Sequence, residues 1–140
     1  MVIRVAELQA LFQQQFSALS VDKQRFHAAM RGSFGEGYDV RKAERLRLRA
    51  LAGDFGWLPQ AKWVDPEILE GSSGAYYAEL GTVFLSRAIQ HAPALAAATF
   101  VEQAGQILDA QLCPRSSSED RGAVFRRFLG GQEPGLVQLS

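Results

Sequence analysis

The stretch PALAAATFVEQAGQILDAQL, Pro93–Leu112, decides how the rest of the chain is read. At about 100° per residue, Ala97, Phe100, Val101, Ala104, Ile107, Leu108 and Gln111 fall on one side of a helix, and Thr99, Glu102, Gln106 and Asp109 on the other. Pro93 suits the first helical position, because the N–H it lacks would have no intrahelical partner there. The period therefore predicts a long helix that packs along one side and presents two carboxylates and an amide along the other. Glu102 and Gln106 are four residues apart and Gln106 and Asp109 three, so the three side chains are surface neighbours.

A helical metal site uses the same spacing. An H-E-x-x-H helix holds zinc with two imidazoles one turn apart and activates the metal's water with the glutamate between them. Here those five positions read Glu102, Gln103, Ala104, Gly105 and Gln106. The frame is kept, but the imidazoles and the general base are not.

Outward from this helix, GSSGAYYAELGTVFLS reads as a β-hairpin. Ala75 to Ala78 and Thr82 to Leu85 are extended and Glu79-Leu80-Gly81 turns between them. Such short strands need cover, and the long helix is the element to supply it. Before the hairpin, GDFGWLPQAKWV holds Trp57 and Trp63, read as core plugs, and a short extended piece, Ala61 to Val64. After the long helix, Ser116 to Glu119 has capping-box spacing and introduces a last helix to about Leu129.

Towards the N-terminus, Val5, Leu8, Leu11, Phe12, Phe16 and Leu19 recur at helical steps. Ser20 is placed to cap a second helix, roughly Val21 to Met30, which the glycine-rich run RGSFGEGY ends. That run follows no predicted strand, so it reads as a turn and not a phosphate cradle. Asp39 caps a third helix, Val40 to about Ala52, stopped by Gly53. Val40, Ala43, Leu46, Ala50 and Leu51 form its core stripe. Its cations Arg41, Lys42, Arg45, Arg47 and Arg49, with Glu44 as the one acid, spread over the rest. The plain reading of these cations is a solvated helix surface; the sharper one is a docking surface for an acidic partner or a phosphate backbone, centred on Arg41, Lys42, Arg45 and Arg49.

The expected fold is α+β and mostly helical, with about five helices and a small antiparallel sheet packed on the central helix. The 140 residues form one domain: an N-terminal helical hairpin over 1–33, a core over 34–130 and a tail over 131–140. Fifteen basic against fifteen acidic residues leave no formal net charge, which disfavours a dedicated nucleic-acid binder. Cys113 is alone, so no disulfide forms within the chain. No segment approaches the roughly 20 apolar residues of a membrane span, and the N-terminus does not have the form of a cleaved signal. A soluble cytoplasmic protein is expected, or one secreted without such a signal. His27 and His91 have no metal-type partner at helical spacing and read as satisfied or partly exposed side chains.

LAGDFGWLPQAKWV, GSSGAYYAELGTVFLS and FVEQAGQILDAQLCPRSSSEDRGAVF together resemble a zincin-type metallopeptidase domain of bacterial, notably cyanobacterial, proteins with calcium-binding RTX-type repeats. The resemblance covers roughly Phe34 to Gly130. In that family the helix carries E-E-x-G-H-x-x-D and a G-D-E-G loop follows. By this resemblance the paired glutamates fall on Glu102 and Gln103, the histidine on Gln106 and the aspartate on Asp109. The loop's second acid falls on Arg121. Gln106 removes the imidazole, Gln103 accepts no proton at neutral pH, and Arg121 puts a cation where a ligand would sit. The resemblance implies a degenerate site with no catalytic residues, no metal and no cofactor, on a scaffold that binds a protein or peptide. Two alternatives stay open: a hydrolase with a rearranged site on Glu102, Asp109 and His91, and a nucleic-acid or acidic-partner module using the 41–49 helix. Self-association as a homodimer also stays open.

Overall fold

The computed structural model describes residues 2–113 together with Phe125, Arg126 and Leu129. Helix α1 (Val5–Ser20) leads into α2 (Lys23–Phe34) and α3 (Val40–Leu51). Three strands follow, β1 (Gln60–Val64), β2 (Gly74–Tyr77) and β3 (Thr82–Ser86), and then α4 (Pro93–Leu112). The fold is α+β with four α-helices among the described residues, where about five were expected; most of the expected fifth, 116–129, lies outside those residues.

Helix starts follow local cap chemistry. The Asp39 carboxylate accepts from the Lys42 N–H at 3.1 Å and opens α3. The expected cap of α2 at Ser20 is corrected to Asp22, which accepts from the Arg25 N–H at 3.1 Å. Ser20 is instead the last residue of α1, and its hydroxyl donates to the Phe16 carbonyl one turn back at 2.7 Å. Helix α2 also runs past the expected end at Met30, through Gly32 to Phe34. Its buried face of Phe26, Ala29, Met30, Ser33 and Phe34 continues across the exposed Gly32, so packing outweighs glycine's weak helix propensity. The stop comes at Gly35, whose φ of 92° is open to glycine and costly for other residues.

The hairpin expected over Ala75 to Leu85 is present, with β2 antiparallel to β3 and Tyr77 opposite Thr82. The sheet is nevertheless mixed and not antiparallel throughout. Strand β1 lies parallel to the other edge of β3, Gln60 opposite Thr82 and Val64 opposite Ser86, so β3 is central. Its Val83 and Leu85 side chains are fully buried, as a strand paired on both edges and covered by a helix requires.

Helix α4 is central to the packing: it contacts β2 and β3, and also α1 and α3. Phe100, Ala104 and Ile107 are buried, in keeping with the predicted packing face. Because neighbours lie on more than one side, the buried arc is wider than expected and includes Thr99 and Gly105. Thr99 was expected on the solvent side; it points at the sheet, where a Cβ added to Gly74 would come within 2.8 Å of its methyl. Gln111, expected on the packing side, is exposed. The core is strongly aromatic. Phe12, Phe16, Phe26, Phe34, Phe100 and Phe125 are all fully buried, and Phe12 and Phe16 stack at 5.6 Å. Trp57 closes this cluster edge-on to Phe12 at 5.9 Å, and Trp63 is half-buried against the same core. Among the described residues no helix is long and apolar enough to cross a membrane.

Candidate functional site

The polar row of α4 is partly realised. Glu102, Gln103 and Asp109 are half-buried, and Gln106 is exposed. The Glu102 carboxylate is engaged: Arg126 Nε donates to Oε1 at 2.9 Å. Arg121, which the resemblance puts where a ligand would sit, lies outside the described residues; the cation on Glu102 is Arg126. Among the described residues, no group of three or more His, Cys, Asp or Glu side chains is placed to share a metal ion. His91 is exposed, just before the start of α4.

Helix α3 divides its charges between two flanks, which the sequence reading did not separate. On one flank Arg47 is buried, contrary to its expected place in the solvated basic surface. Its guanidinium forks onto Glu44, Nε to Oε1 at 2.9 Å and Nη2 to Oε2 at 2.8 Å, while Nη1 donates to the Ser20 carbonyl at 3.0 Å. His27 reaches the same carboxylate, Nε2 to Oε1 at 2.8 Å, and its Nδ1 lies 2.7 Å from the Tyr38 hydroxyl. A carboxylate only accepts, so Nε2 carries a proton, and in the neutral ring Nδ1 accepts from Tyr38. Lys23 stands 3.8 Å from Glu44. The bonds from Arg47 and then His27 hold the Glu44 carboxyl at about 2, well below the ordinary range. Burial raises the Tyr38 phenol. This network ties α3 to α2 and to the end of α1. His27 is thus a satisfied histidine, as expected.

The other flank carries Lys42, Arg45 and Arg49 at helical spacings of three and four. With Leu46 and with Gln111 from the last turn of α4, they line a cavity of about 260 Å³. The two helices are pinned together beside it, where the Asp39 N–H donates to the Leu112 carbonyl at 2.8 Å. Arg49 is held by a two-pronged pair with Asp54, at 2.9 and 3.3 Å. Among the described residues, neither Lys42 nor Arg45 has a carboxylate partner; Arg45 makes only a long 3.5 Å approach to the Arg41 carbonyl. Arg41 is exposed beside them. Of the expected core stripe, Ala43, Leu46 and Ala50 are buried, whereas Val40 and Leu51 are 53% and 47% exposed.

The structure therefore brings Lys42, Arg45 and Arg49 to one cavity, and Arg41 next to it. It leaves the α4 row as a separate feature. Two contributors were missed from sequence: Gln111, assigned to packing, and the Glu44–Arg47 pair. The i, i+3 spacing of Glu44 and Arg47 was the available signal for the pair; nothing local signals His27. Comparison with family models, curated proteins and solved structures finds no match to this chain.

Proposed function

We propose that this chain is a non-catalytic module of metallopeptidase-like construction that binds a protein or peptide partner. The observation that carries this reading is the Arg126–Glu102 pair. In the H-E-x-x-H frame, position 102 belongs to a metal ligand, and here its carboxylate is committed to a guanidinium. The neighbouring chemistry supports the same reading. Gln103 cannot take a proton from water, and the Gln106 amide is a far poorer zinc donor than imidazole. Partner binding is drawn from the persistence of the helix-on-hairpin scaffold without its reactive groups.

Restoring the groups tests the proposal. Gln103→Glu, Gln106→His and Arg121→Glu, combined with Arg126→Ala to release Glu102, are expected to raise zinc affinity measurably in calorimetry. The unmodified chain is expected to show neither tight zinc binding nor peptidase activity. Tight zinc binding by the unmodified chain, or no gain in the restored variant, would overturn the reading.

A further inference from the structure

An open cavity lies between α3 and the end of α4. Three cations converge on it, and one of them, Arg49, is paired with the Asp54 carboxylate. Asp39, which precedes α3, is turned to the helix backbone as its cap. Arg49 is fixed in place, whereas Lys42 and Arg45 have no carboxylate partner among the described residues. Leu46 gives the cavity an apolar floor, and the Gln111 amide can donate from the opposite wall.

We propose that this cavity binds an acidic peptide segment of a protein partner, with neighbouring carboxylates on Lys42 and Arg45 and an aliphatic side chain against Leu46. The proposal rests on the reading of the chain as a binding module and names the surface and chemistry of that binding. Charge complementarity selects an acidic occupant. Two features favour peptide over nucleic acid. The cations from Lys42 to Arg49 span only about 10 Å of a single helix, a short track for a phosphate backbone, and among the described residues no aromatic ring lines the cavity to stack a base.

The probe is a fluorescein-labelled peptide, Gly-Asp-Glu-Leu-Asp-Glu-Gly, compared by anisotropy with its Asn/Gln counterpart and with a short DNA duplex. The acidic peptide is expected to bind at least about tenfold more tightly than the amide peptide, and to weaken as salt rises. Lys42→Glu with Arg45→Glu is expected to abolish binding, and the milder Lys42→Gln with Arg45→Gln to reduce it about tenfold, with melting curves unchanged. Equal affinity for the two peptides, binding that survives both double variants, or tighter binding of the duplex would each overturn the assignment. Zinc uptake reports separately on the α4 row, so failure at the cavity and failure of the non-catalytic reading are distinguishable.

Discussion

The two flanks of α3 carry the same kinds of residue and have opposite fates. On one, Arg47 and Glu44 are locked together, to His27 and to the Ser20 carbonyl. On the other, Lys42 and Arg45 face a cavity without a described counter-ion. The difference comes from what each flank meets. The first turns towards α2 and the end of α1, where a charge leaves water and must be paired. The second turns towards the end of α4, where space and solvent remain. A charge-rich helix can thus be an internal fastener on one side and a recognition surface on the other.

The largest expected effect breaks the fastener. Arg47→Ala removes three hydrogen bonds, leaves the Ser20 carbonyl without its Arg47 donor and takes away the main partner of Glu44. A loss of about 2–4 kcal/mol is expected in urea unfolding, given the cost of stranding one member of a buried ionic network. A loss under about 0.5 kcal/mol would put this flank in the same class as the other and end the contrast.

Acid sharpens it further. The Glu44 carboxyl is depressed to about 2 in the folded state, so the unfolded chain takes up its proton first as pH falls. Its contribution is fully present above the ordinary carboxylate range and is lost as pH drops through that range towards 2. Glu44→Gln should therefore lower stability at neutral pH and flatten its fall between pH 5 and 2. An unchanged acid slope in that variant would show that the network does not govern acid stability.

The smallest expected effect lies on the cavity flank. Arg41→Glu with Arg45→Glu should move the melting temperature by less than about 2 °C, since exposed charges add little to folding. A larger drop would show that these cations are tied internally, which would also remove the case for a docking surface.

What could be read from the chain was what short-range chemistry determines. The period of Pro93–Leu112 marks α4, Asp39 and Gly53 bracket α3, and the spacing around Glu79-Leu80-Gly81 marks the hairpin; each depends on residues within a few positions of one another. The i, i+4 row of Glu102 and Gln106 was legible for the same reason. Tertiary structure decided the rest. That β1 joins β3 in parallel, that Thr99 turns inward against Gly74, and that α2 continues through Gly32 all depend on surfaces supplied from far along the chain. The division of α3 is the sharpest case. His27 meets Glu44 across 17 positions of sequence and Arg47 meets Ser20 across 27, and no local pattern encodes such pairs, because only packing sets which charges leave water.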